Sequence, residues 1–298
     1  MSFTPLHDGD TIGVFAPSSY VEREYIEAAR TAAEDMGYRV YIHPQTYERH
    51  AQMAGTRAQK IAALHDLYAD PNIKAIWAAG GGNRALGLLD GLDYDLIRTN
   101  PKPLIGFSDV TALLNGITAR TAQANIHAPV FKQLHTRSDA ERAQIVNVLR
   151  GAPAPMPMQG TKAIQSGNAE GVLVGGNLSL FHLLCGTDNC PDLSGAILCL
   201  EDCGDHVSRF DRMFIHMKRC GVFDAIGGLV IGTFSDLQDG PRAFGLGIEE
   251  IIGDLNIAAH KPIIMHAPFG HGDENFAFPI GGKARLDAGA ITTLEIIA

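Results

Sequence analysis

The sequence is poor in cysteine chemistry. Its five cysteines, Cys185, Cys190, Cys199, Cys203 and Cys220, are odd in number and never spaced C-x-x-C. That argues against a disulfide framework and fits thiols kept reduced in a cytosol. No apolar run reaches the roughly 18 residues that a membrane-spanning helix needs. The opening "MSFTPLHDGDTIGVFAP" lacks a basic leader followed by a long apolar stretch, so no signal peptide is expected. Positive charge is scarce as well: 24 Lys and Arg against 33 Asp and Glu give a net charge of −9, and no Lys/Arg cluster is present. Nucleic acid is therefore not an expected partner, and neither is a membrane. What remains is a soluble, cytoplasmic protein. Its 298 residues, 46% hydrophobic and 19% charged, suffice to bury a core in about two domains.

The first half alternates apolar runs with helical spacing. Residues 11–17 (TIGVFAP), 38–43 (YRVYIH), 73–79 (IKAIWAA) and 103–107 (PLIGF) read as strands. Between them, Glu24–Met36 and residues 56–70 carry helical periodicity, the latter with Ile61, Leu64 and Leu67 on one side. This rhythm predicts a parallel sheet covered by helices. The segment 150–170 is rich in Pro, Gly and small polar residues and reads as a linker. The second half restarts with strands at 171–176, 195–202, 227–236 and 260–266, a helix bearing Met213, Met217 and Cys220, and short terminal strands. We expect an N-terminal α/β domain at 1–149, the linker, and a smaller C-terminal α/β domain at 171–298.

Four stretches carry chemistry. In "PLIGFSDVTALLNG" (103–116), Ser108 sits on a strand-to-helix turn. There it is either a nucleophile or, with Asp109, the cap of the following helix, and capping is the commoner duty. GFSD lacks the second glycine of G-x-S-x-G, so this stretch alone leaves the choice open. "AAGGGNRALG" (78–87) bares backbone N–H groups that suit an anion or an oxyanion, but a tight turn would look the same. "LCLEDCGDHVSRFDR" (198–212) ends a buried strand with Glu201 and Asp202, where open α/β sheets build their sites. The acids could equally be solvated, or paired with Arg209 and Arg212. A metal held by Asp202, Cys203 and His206 is a further reading, though the set matches no known ligand spacing. In "HAPFGHGDENFAFPIGG" (266–282), His271 lies between two glycines. Pro268 and Gly270 deny His266 and His271 a common helical face for a metal, which leaves His271 suited to acid–base chemistry. Ser, Glu and His then follow one another in an order known from several unrelated folds.

Taken together, these stretches resemble the cytoplasmic LD-carboxypeptidases and their relatives, the microcin-immunity serine peptidases. The likeness runs through DGDTIGVFAPSS (8–19), DPNIKAIWAAGGGN (70–83), KPLIGFSDVTALL (102–114) and IHAP (126–129). It continues in GVLVGGNLSLFHLLCGT (171–187), ILCLEDCGD (197–205), RFDRMF (209–214) and PFGHGDEN (268–275). The resemblance implies a flavodoxin- or Rossmann-like N-terminal domain, a smaller second domain and an active site in the cleft between them. It implies Ser108 as nucleophile, His271 as general base, Glu201 as the carboxylate that orients it, and backbone N–H groups of Gly81 and Asp109 as the oxyanion hole. It further implies no cofactor, no metal, a homodimer, and a cytoplasmic murein tetrapeptide as substrate, cleaved to release D-alanine. One departure bears on the substrate. The family's glycine loop commonly reads R-G-G-Y-G, whereas this chain has Ala79-Gly80-Gly81-Gly82-Asn83, an asparagine shared with the immunity branch.

Overall fold

A computed structural model describes residues 3–297. Among the described residues thirteen strands form two sheets: β1 Thr11–Phe15, β2 Arg39–Ile42, β3 Ile73–Ala78, β4 Leu104–Gly106, β5 Asn125–His127, β6 Lys162–Gln165, β7 Asn168–Asn177, β8 Ile197–Cys203, β9 Gly228–Ser235, β10 Ile263–Met265, β11 Phe278–Ile280, β12 Lys283–Ala288 and β13 Thr292–Ile297. The first sheet has the order β11-β5-β4-β3-β1-β2. Its parallel part is the 2-1-3-4-5 arrangement of flavodoxin-like folds, as expected. The second has the order β13-β12-β7-β8-β9-β10-β6, parallel from β7 to β10 and antiparallel at both margins.

Two details depart from the sequence reading. Residues 162–165, inside the stretch read as linker, form β6 and pair with β10. Their pattern Lys-Ala-Ile-Gln offers no apolar run, and the preceding prolines and glycines hide them. Residues 278–280 follow the second half in sequence yet close the first sheet as β11, antiparallel to β5. Pro279 is tolerated there because β11 is an edge strand, where one missing N–H costs no ladder bond.

Which helix lies between the sheets decides where the site forms. The helix Thr111–Thr121 buries every residue from Thr111 to Thr118. A helix buried on every side belongs in an interior, and its polar residues there need partners. Leu113, Leu114 and Ile117 join one core cluster with Leu173, Val174 and Leu178 of the second half. Each such side chain contributes about 1.5–3 kcal/mol on burial. Polar contacts fix the register. Asn115 Nδ2 donates to the Gly175 carbonyl (2.7 Å), and Gly175 N–H donates to Asn115 Oδ1 (3.0 Å). Asn177 N–H donates to Thr111 Oγ1 at 3.0 Å. The helix that starts beside Ser108 is thus bolted to the strand neighbouring β8, whose end carries Glu201. The lone tryptophan, Trp77, is buried in β3 and donates its indole N–H to the Pro129 carbonyl at 2.9 Å.

Candidate active site

Three chain segments converge at the carboxyl ends of the strands. Ser108 follows β4 directly and adopts φ +62°, a left-handed conformation that a serine enters at a cost of about 1–3 kcal/mol. This sharp turn lifts the hydroxyl out of the sheet at the head of the buried helix. Gly81, after β3, lies against it: a Cβ at Gly81 would meet Ser108 Cβ at 3.2 Å and Oγ at 3.3 Å. Any larger residue there would press on the Ser108 side chain.

The capping alternative for Ser108 and Asp109 is not what the structure shows. Neither the turn Ser108–Val110 nor the helix Thr111–Thr121 carries a side-chain cap. The buried Asp109 carboxylate faces away and accepts hydrogen bonds from Ser18 Oγ (2.6 Å) and Ala85 N–H (2.9 Å). Lys60, 2% exposed, donates from Nζ to the Ser18 carbonyl at 2.7 Å. Asp109 therefore clamps the segment after β1, the glycine loop and the Ser108 turn to one another. Burial pushes its carboxyl upward, opposed by those two hydrogen bonds and by the Lys60 charge.

His271 Nε2 lies 3.1 Å from Ser108 Oγ, and its Nδ1 lies 2.7 Å from Glu201 Oε2. Glu201 is fully buried, while His271 keeps 22% of its side chain exposed. Burial pulls the imidazole pKa down, but the hydrogen bond and charge of Glu201 outweigh it, and the net direction is upward. For Glu201 burial dominates and raises the carboxyl, with His271 opposing. The Phe107 ring, with its centroid 4.7 Å from that of His271, walls one side of the imidazole. Gly270 holds φ +113°, and a Cβ there would strike Glu201 Oε2 at 2.7 Å. Glycine before His271 is thus what allows the carboxylate and the imidazole to meet.

Neighbouring acids diverge, as strand alternation requires. Glu201 turns to His271. Asp202 turns away and accepts from Ser179 N–H (2.7 Å) and Cys203 N–H (2.8 Å). Among the described residues Arg209 pairs with Asp205 at 3.4 Å, not with Asp202. The metal sets considered from sequence do not assemble either. His266 is exposed at φ +62°, His206 begins the helix Val207–Arg219, and no group of three or more His, Cys, Asp or Glu among the described residues is arranged to hold an ion.

Sequence reasoning missed the layer beneath His271. Asn275 Oδ1 accepts from Gly270 N–H (2.9 Å) and from His127 Nε2 (3.1 Å). His127 is entirely buried, stacked 4.5 Å from Phe278, and desolvation pushes its pKa down to about 3. Burial favours its neutral form, and because Asn275 Oδ1 is an acceptor, the proton sits on Nε2. Glu141 in turn accepts from Asn275 N–H at 3.0 Å. Asn275 ends the GDEN stretch, and Glu141 completes a capping box with Ser138. That box signals the start of a helix, and nothing in it announces the second bond to Asn275.

Residues 12–128 match the LD-carboxypeptidase N-terminal domain, and residues 170–286 match the LD-carboxypeptidase C-terminal domain. The chain belongs to the LD-carboxypeptidase family. A probable murein peptide carboxypeptidase of Bacillus subtilis is 30% identical over 97% of this chain and 92% of its own length. The murein tetrapeptide carboxypeptidase of Pseudomonas aeruginosa is 31% identical over 93% of this chain and 92% of its own. Among solved structures, an MccF-like protein of Bacillus anthracis superposes with a TM-score of 0.89 at 30% identity, covering 100% of this chain and 99% of that one. No helix among the described residues is long and apolar enough to cross a membrane.

Proposed function

We propose that this LD-carboxypeptidase family member hydrolyses the bond between an L-configured centre and the terminal D-alanine of murein tetrapeptides. Ser108 is the nucleophile. His271 Nε2, 3.1 Å away, takes the hydroxyl proton as Oγ attacks the carbonyl carbon, and later delivers it to the departing amine. Glu201 holds the Nδ1–H tautomer and stabilises the imidazolium without taking the proton itself. The developing oxyanion is received by the backbone N–H groups of Asp109 and Gly81, consistent with the close approach of Gly81 to Ser108. Water then attacks the acyl-enzyme, with His271 as base once more. These roles require neither cofactor nor metal. The proposal extends to a nucleophile-bearing domain at 1–149 and an acid–base-bearing domain at 171–298, a homodimeric state, and a cytoplasmic place in cell-wall recycling.

The observation that carries this reading is the unbroken hydrogen-bond line from Ser108 Oγ through His271 to a fully buried Glu201. A second reading, cleavage of an aminoacyl-nucleotide amide by the same residues, is favoured by Asn83 in the glycine loop and by the MccF-like structural likeness. Incubating the purified chain with a murein tetrapeptide and, separately, with an aminoacyl-sulfamoyl nucleotide tests both. Release of D-alanine from the peptide alone supports the first reading. Cleavage of the nucleotide conjugate alone replaces it with the second.

A further inference from the structure

Beside the glycine loop, away from the Ser108–His271–Glu201 line, is a cavity of about 220 Å³. Arg57, Lys60, Arg84 and His50 line it, together with Thr56 and the Gly55 turn. Two arginines and a lysine around so small a space stand out in a chain of net charge −9. The acids nearby do not neutralise it. Asp109 interacts with Lys60 but spends its hydrogen bonds on Ser18 and Ala85, and Asp90 meets Arg57 only at 3.7 Å with both groups exposed. An exposed pair of that kind is worth little and is readily exchanged for another anion.

Arg84 is the telling residue. Its φ is +84°, a conformation that glycine adopts freely and a branched or long side chain does not. Its side chain makes no hydrogen bond or ion pair among the described residues, although the neighbouring Ala85 N–H is anchored on Asp109. Strain kept at a residue without internal partners points to a partner from outside. The connection to the chemistry is short: Gly81 touches Ser108, Gly82 packs on Ser19, and Ala85 donates to Asp109, so Arg84 stands on the same rigid loop as the proposed oxyanion hole. Lys60, almost wholly buried, gives the cavity a fixed positive wall.

We propose that this cavity is an anion subsite, in which Arg84, with Arg57 and Lys60, binds an oxyanion group carried by the substrate. A guanidinium suits it because its planar fork takes both oxygens of a carboxylate or two of a phosphate. The proposal rests on Ser108 as the reacting centre. It makes Arg84 a specificity-determining residue that acts on ground-state affinity.

The test uses the Ser108→Ala chain, which keeps the cavity but does not turn over, with and without Arg84→Gly. Calorimetry compares three probes: a dipeptide ending in free D-alanine, its C-terminal amide, and adenosine monophosphate. Because glycine relaxes φ +84°, Arg84→Gly is expected to raise Tm by roughly 1–3 °C. It should also weaken binding of the free acid at least tenfold and leave the amide unchanged. If adenosine monophosphate is the probe that loses affinity, the subsite stands and its anion is a nucleotide phosphate. Unchanged affinity for both anions, or no binding of any probe to the Arg84-intact protein, overturns the proposal. Turnover by the chain with Ser108 intact is measured separately, so a failed subsite is distinguishable from a failed enzymatic reading.

Discussion

Replacing Glu201 by Gln keeps the size of a fully buried side chain and removes its charge. In the transition state His271 becomes an imidazolium 2.7 Å from that carboxylate. Unit charges with centres ~4 Å apart, at an effective dielectric of ~20, attract by about 4 kcal/mol. That is roughly three decades in rate. A glutamine amide can also donate to Nδ1, which places the imidazole proton on Nε2, the wrong side for a base, and carries the loss toward ~10⁴ in kcat. The pH profile gives an independent sign. Glu201 raises the pKa of His271, and the base works only when unprotonated, so the acid limb of kcat/KM should lie above the ordinary histidine value of about 6.5. Without the carboxylate, burial is opposed only by the lesser charges of Asp202 and Asp236, and the limb should move to lower pH. The stability linkage has the same origin. A histidine raised in the folded state contributes stability below its unfolded pKa, and that contribution fades as pH climbs through the raised value, so Glu201→Gln should erase this part of the pH dependence. Asp202→Asn is the control, since its contacts are to Ser179 and Cys203 N–H, and an amide oxygen can still accept one of them. Rates and melts across pH 5–9 decide it. If Asp202→Asn is the inactive protein, or if the acid limb of Glu201→Gln stays in place, the role assigned to Glu201 is wrong.

Ser108→Gly should lose on the order of 10⁶ in kcat while melting at the same or a higher temperature, because glycine relieves φ +62°. A destabilised Ser108→Gly would show that the turn is not strained. Asn275→Ala removes the acceptor for Gly270 N–H and His127, and leaving those buried donors unpaired should cost about 1–3 kcal/mol of stability and lower kcat through a misplaced His271. Wild-type turnover in that variant would dismiss Asn275 as a support. Exhaustive EDTA treatment should leave activity intact, and activity restored only by added zinc would contradict the proposed roles of the three side chains.

The parallel sheet was legible because apolar runs followed by helical spacing recur through residues 11–121, and Ile12, Val14, Leu64, Leu67 and Ile76 are buried as that spacing implies. β6 and β11 were not. One is short and polar, and the other contains a proline, and both are stabilised by strands distant in sequence. Ser108, Glu201 and His271 stood out by local context: a strand-to-helix turn, a strand end, and a glycine-flanked loop. That they meet within hydrogen-bond reach depends on Asn115, Thr111 and Gly175 locking two sheets together, which no single stretch announces. Asp109 read as a cap because acids at helix starts usually are. Its bonds to Ser18 and Ala85 are long-range and leave no local signal.

The most direct measurement is covalent labelling with a serine-directed fluorophosphonate, followed by peptide mapping, in the wild-type chain and in His271→Ala. The account predicts a single adduct on Ser108 in the wild type and labelling slowed by orders of magnitude when the base is gone. An adduct on another serine, or a Ser108 adduct that forms equally fast without His271, would contradict it.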